Sequence, residues 1–142
     1  MSIVYLDSSA LVKMYLAEDL TERDLVLHRI KSVGRVASSV IAYAEVSSAL
    51  ARYFHEERIN EEEYAANVDI FEDEWGSTNQ LGVIPTISVM ARQLLKAQRG
   101  LRAMDAIHVA SALWLRQQEE MTFLSFDVFL NDVARRLMPD AF

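Results

Sequence analysis

Ile3-Val4-Tyr5-Leu6 is an unbroken apolar run that ends at Asp7. It is too short for a stable helix and shows no polar alternation, so it reads as a strand buried on both faces. Three more short runs follow along the chain: Arg35-Val36-Ala37, Leu81 to Ile84, and Thr122 to Ser125. Stretches with helical character separate them. Strands of about four residues alternating with helices predict an α/β protein whose parallel sheet is covered on both faces.

The helix boundaries follow from capping chemistry. Asp7-Ser8-Ser9 closes the first strand, and its serines suit the cap of a helix over Ala10 to Leu16. Thr21-x-x-Asp24 predicts a capping box for a second helix reaching about Ser32, ended by Gly34. Ser38 and Ser39 offer an N-cap for a long helix from Val40 to about Glu57, and Asn60-x-x-Glu63 caps the next, to about Trp75. Two consecutive helices without an intervening strand are expected to project as a hairpin. After Pro85-Thr86, a helix from about Ile87 ends at Gly100; others run from Ala103 to Glu119 and from Asp127 to Met138.

Composition narrows the function. With 142 residues, 51% of them hydrophobic, the expectation is one domain spanning 1–142 with a substantial core. The absence of Cys excludes a disulfide scaffold, a thiolate zinc site and a cysteine nucleophile, and it fits a reducing compartment. The net charge of −7 argues against a broadly basic nucleic-acid clamp. No apolar run approaches the ~20 residues of a membrane span, and no basic segment precedes the first apolar run, so a soluble cytoplasmic protein is expected. There is no P-loop, no GxGxxG and no Asp-x-Asp after the first strand.

Most of the acids lie in polar neighbourhoods such as Glu61-Glu62-Glu63 and Glu72-Asp73-Glu74, which read as solvated helix faces. Four do not. Asp7 ends an apolar strand. Glu45 is the only charge between Ser38 and Ala51. Asp105 opens a helix that is apolar nearly all round, and Asp127 sits between Phe-Leu-Ser-Phe and Val-Phe-Leu. A buried carboxylate is costly without a partner. Asp7 and Asp127 both follow strands, and open parallel sheets form their sites at the carboxyl ends of strands. Glu45 and Asp105, early in their helices, can approach the same edge. Two carboxylates ~4 Å apart repel by about 4 kcal/mol at an effective dielectric of 20, which invites protonation or a divalent cation. An all-oxygen donor set favours Mg²⁺ or Mn²⁺ over zinc. Carboxylates holding such ions suit phosphodiester hydrolysis. For any one acid, a helix cap or buried ion pair is an equally good reading.

Four segments, in order, carry a resemblance over essentially the whole chain. They are Val4-Tyr5-Leu6-Asp7-Ser8-Ser9-Ala10-Leu11-Val12-Lys13, Ser39-Val40-Ile41-Ala42-Tyr43-Ala44-Glu45-Val46, Leu101-Arg102-Ala103-Met104-Asp105-Ala106-Ile107-His108-Val109-Ala110 and Phe123-Leu124-Ser125-Phe126-Asp127. The sequence resembles the PIN-domain ribonucleases of the VapC toxin type. That resemblance implies a three-layer α/β/α sandwich and a Mg²⁺- or Mn²⁺-dependent endoribonuclease leaving 5′-phosphate and 3′-hydroxyl ends. It maps the acidic site onto Asp7, Glu45, Asp105 and Asp127, and puts Ser125 at the family's usual Thr/Ser position. It further implies a homodimer, an RNA substrate and a cognate antitoxin whose tail occupies the groove. The sequence departs from many relatives at Val128-Phe129-Leu130, where they carry another polar or basic residue.

Several other residues admit two readings. Ser8 or Ser9 can bond a metal-bound water or phosphate, or cap a helix. Ser125 can orient Asp127, or simply close a strand end. Asn131 can reach toward a metal, or lie on solvated helix surface. His108, one turn after Asp105, can pair with that carboxylate, with a satisfied structural role the stronger reading. Lys13 and Arg102 can meet RNA phosphates or lie on the surface. Trp75 and Trp114 read as packing residues. The rival functions are a catalytically silent PIN-fold binding module that acts with an antitoxin-like partner in repression, and a metal-dependent nuclease for DNA.

Overall fold

A computed structural model describes residues 2–142. β1 (Ser2–Leu6) lies inside a four-stranded, all-parallel sheet of order β3-β2-β1-β4. The other strands are β2 (Val36–Ser39), β3 (Asn79–Leu81) and β4 (Glu120–Leu124). Successive β1 side chains point to opposite faces. Ile3 and Tyr5 enter one apolar cluster, Val4 and Leu6 the other, and none is more than 1% exposed. A strand buried on both faces needs no polar positions, which is why its sequence has none.

Eight helices make the outer layers among the described residues. α1 (Ser8–Leu11), α2 (Lys13–Leu16), α3 (Leu20–Val33), α4 (Ile41–His55) and α5 (Glu61–Trp75) send Leu11, Val26, Val46, Leu50 and Phe71 against Val4 and Leu6. On the opposite face, α6 (Pro85–Ala97), α7 (Ala103–Arg116) and α8 (Val128–Leu137) contribute Ile87, Val109, Leu130 and Val133. The architecture is the three-layer α/β/α sandwich expected from the sequence. In α7, Ala106, Ala110 and Ala112 are fully buried. Small side chains let this helix approach the sheet closely, with His108 beneath it.

Some boundaries differ from expectation. The first helix breaks at Val12, and its cap is Asp7, whose Oδ1 accepts from the Ala10 amide. Asp19 rather than Thr21 caps α3, accepting from the Thr21 amide, and the left-handed Gly34 closes that helix. Asn60 and Glu63 form the expected reciprocal box. β3 covers Asn79–Leu81 and not Leu81 to Ile84. As an edge strand it gains from backbone pairing with β2, while Val83 and Ile84 extend into Pro85 at the first turn of α6. α4 and α5 do form a hairpin, and Phe71 and Trp75 at its returning end pack into the core, with Phe71 also against Tyr15.

Candidate active site

The strand order places β1 beside β4, and chain progression reverses there: β2 and β3 continue to one side of β1, β4 lies on the other. In open α/β sheets ligands bind outside the carboxyl ends of strands at such a switch point. Asp7 follows β1 directly, and Ser125, Phe126 and Asp127 follow β4. The register Leu6↔Leu124 brings the two strand ends level.

Asp7 is 3% exposed, and both carboxylate oxygens are engaged. Oδ1 accepts from Ser9 Oγ at 2.7 Å and from the Ala10 amide at 3.0 Å; Oδ2 accepts from Ser125 Oγ at 2.5 Å. Burial pushes this carboxyl above its ordinary value, and the bonds from Ser125, Ser9 and Ala10 hold part of that rise back. Ser125 does more than orient Asp127. Its hydroxyl donates to Asp7 while accepting from the Asp127 amide at 3.0 Å. Ser9 Oγ likewise accepts from the Phe126 amide at 2.9 Å. Two hydroxyls thus stitch the ends of β1 and β4 together.

Asp127 caps α8, with Oδ1 accepting from the Leu130 amide at 3.0 Å, and otherwise faces solvent. Glu45 reaches the same region from α4, with Oε1 2.7 Å from His108 Nε2. Asp105, in the first turn of α7, accepts no hydrogen bond among the described residues. Its carboxyl is raised by partial burial, then by the charge of Asp127, with smaller contributions from Glu45 and Asp7. Each of the four acids therefore senses or lines one locus, where Glu45, Asp105 and Asp127 share a cavity with Arg102, Met104 and Phe129.

Among the described residues, no three Asp, Glu or His side chains are already drawn into a closed metal-holding cluster. The donor chemistry nonetheless fits a divalent cation. The oxygens of Asp105, Oδ2 of Asp127 and Oε2 of Glu45 accept no hydrogen bond, and the mutual repulsion that raises Asp105 is what a bound cation would relieve.

The other expected residues have these partners. Asn131 turns back, donating from Nδ2 to the Ser125 carbonyl at 2.7 Å, and so braces the strand end. Lys13 pairs with Glu22 at 3.2 Å and lies over the Phe126 ring. His108 pairs with Glu45 and not with Asp105. Arg102 is exposed at the N-cap of α7 with no side-chain partner among the described residues. One residue went unnoticed in the sequence. A second groove shares Glu45 and Met104 with the acidic cavity and runs past Ser8, Ser9 and Ser48 to Arg52. The signal was available, since 45, 48, 49 and 52 form one face of a helix.

The PIN domain family model matches residues 4–136. The chain belongs to the PIN domain family. Two curated relatives from Mycobacterium tuberculosis are Ribonuclease VapC45 of strain CDC 1551 and Ribonuclease VapC49 of strain H37Rv. Each is 35% identical over 113 residues, covering 80% of this PIN chain and 76% of the relative. A solved structure, M. tuberculosis VapC20, described as a sarcin–ricin loop cleaving toxin, shares the fold with a TM-score of 0.63. That alignment covers 91% of this PIN chain and 93% of the other at 17% identity.

Proposed function

We propose that this PIN domain, residues 1–142, is a divalent-metal-dependent endoribonuclease acting as the toxin of a toxin–antitoxin pair. The observation that carries the reading is the convergence of Asp7, Glu45, Asp105 and Asp127 at the switch point of a sheet shared with VapC ribonucleases. These four residues would hold Mg²⁺ or Mn²⁺, which when bound supplies Lewis-acid stabilisation of phosphoryl charge and activates water.

The chain's own groups do the rest. Ser125 and Ser9 fix Asp7 so that its carboxylate need not reorganise on binding a cation or phosphate. Arg102 in the acidic cavity and Arg52 in the adjoining groove would hold RNA phosphates, with Ser8 and Ser48 lining that groove. Met104 and Phe129, 51% and 42% exposed, give the groove apolar surface for a base to rest on. The paired antitoxin and a homodimeric state belong to the same reading, with the antitoxin tail competing for this groove. No helix among the described residues is long and apolar enough to cross a membrane.

The test is cleavage of total RNA and of a sarcin–ricin loop oligonucleotide by antitoxin-free protein with Mg²⁺, Mn²⁺ or EDTA, beside Asp105→Asn. Metal-dependent cleavage lost in the variant is expected. Folded protein that cleaves neither RNA in Mn²⁺ overturns the reading.

A further inference from the structure

Behind the acidic cavity, three side chains from three elements form one hydrogen-bonded line. Tyr5 of β1 has its hydroxyl 2.8 Å from Nδ1 of His108, and Nε2 of His108 lies 2.7 Å from Glu45 Oε1. Tyr5 and His108 are 0% and 1% exposed, whereas the Glu45 side chain keeps 28% of its surface. The line therefore begins in the core and ends at the groove.

Proton placement follows from the chemistry of the ends. An ionised carboxylate has no proton to give, so the proton between His108 and Glu45 is on Nε2. At the other side of the ring, the Tyr5 hydroxyl lies 2.8 Å from Nδ1 and holds the imidazole from the core side. With Nδ1 held by Tyr5, Nε2 is the ring atom turned toward Glu45 Oε1. Glu45 Oε2 is left without a hydrogen bond among the described residues.

We propose that His108, held by Tyr5, is a positioning residue that fixes the Glu45 carboxylate with one oxygen tied back and the other presented to a divalent cation. A glutamate has three turning side-chain bonds, and the packing of α4 on the sheet does not by itself fix them. A donor anchored on α7 removes that freedom and couples the two helices that carry Glu45 and Asp105. The inference rests on the proposed metal-binding reading of the acids. It adds a role for a histidine that the hydrolytic chemistry does not itself require.

The test reads Mn²⁺ affinity by electron paramagnetic resonance on the whole chain, without RNA. His108→Leu keeps the apolar volume and removes the donor; it is expected to weaken Mn²⁺ binding by roughly 10- to 100-fold. In a Glu45→Gln background the same change should add nothing, because the carboxylate it positions is gone. His108→Gln, whose amide reaches the place of Nε2, should retain most of the affinity, and His108→Asn, whose amide reaches only the place of Nδ1, should not. Folded His108→Leu with wild-type Mn²⁺ affinity overturns the proposal even if its melting temperature falls. If the leucine variant does not fold, equal affinities for the Gln and Asn variants overturn it. Wild-type protein that binds no Mn²⁺ overturns the metal reading and this proposal together, whereas wild-type binding with unaffected variants overturns this proposal alone.

Discussion

Ser125 Oγ donates to Asp7 Oδ2 at 2.5 Å, joining residues 118 positions apart in sequence. The bond crosses from the end of β4 to the end of β1, at the place where the two strands open onto the groove. Ser125→Ala removes a donor from a carboxylate buried to 3% exposure and orphans the Asp127 amide. We expect a loss of about 1–3 kcal/mol in stability and roughly 10- to 100-fold in activity, with Ser125→Thr near wild type. Urea unfolding and initial cleavage rates check both, and an alanine variant equal to wild type in each would contradict the role assigned to this hydroxyl.

The raised carboxyls of Asp7 and Asp105 make a signed prediction. Each holds its proton more tightly folded than unfolded. Their contribution to stability is therefore fully present below the ordinary carboxylate value and is lost as pH rises through the raised folded value. Asp105→Asn lacks that loss. In EDTA, the variant should become progressively more stable than wild type as pH rises through that window. Because Asp105 is part-exposed and screened, the gain is at most about 1 kcal/mol. Denaturation midpoints across the window measure the difference, and a difference independent of pH counts against the carboxylate repulsion.

Divalent cation should invert that ranking. Saturating Mn²⁺ at about one hundred times its dissociation constant stabilises wild type by about 2.7 kcal/mol. Asp105→Asn should show a much smaller thermal shift in the same titration. Equal shifts in both proteins would place the cation elsewhere.

Arg52 and Arg102 line two adjoining cavities that share Glu45 and Met104. If each holds one phosphate, Arg52→Ala should raise KM with little change in kcat. It should also lower the slope of log affinity against log salt by about 0.7 for single-stranded RNA. The double variant should lose about twice as much slope. Binding titrations at several salt concentrations, with a single-stranded RNA and Asp7→Asn background to prevent cleavage, give the slopes directly.

What the sequence disclosed follows one logic: an apolar or small neighbourhood makes a charge conspicuous. That picked out Asp7, Glu45 and Asp105, and the alternation of short apolar runs with helices disclosed the layered fold. The same logic misplaced β3. Asn79 and Gln80 are polar because an edge strand has solvent beside it, whereas the apolar Val83 and Ile84 drew attention to a segment that leads into Pro85. Along the sequence the acid nearest to His108 on its own helix is Asp105, so the sequence offers that pair beside a satisfied structural role. Its true partner, Glu45, is 63 residues away, a proximity that only the packing of α4 and α7 on one sheet edge creates. Arg52 was overlooked because a charge near the end of an amphipathic helix is ordinary until the groove beside it is known.

The pairing of β1 with β4 along Ser2↔Glu120 to Leu6↔Leu124 also has a temporal meaning. Within the sheet, β1 is synthesised before β4 and waits for it before its second edge is covered, and long-range parallel pairing of this kind is slow to form. Asp7 is made long before Ser125, the donor to its Oδ2, and before the neighbouring acid Asp127. An incomplete chain cannot assemble the acidic locus. Chains cut short before Ser125 lack part of that locus, so activity that needs all four acids is expected only from chains that extend past Asp127.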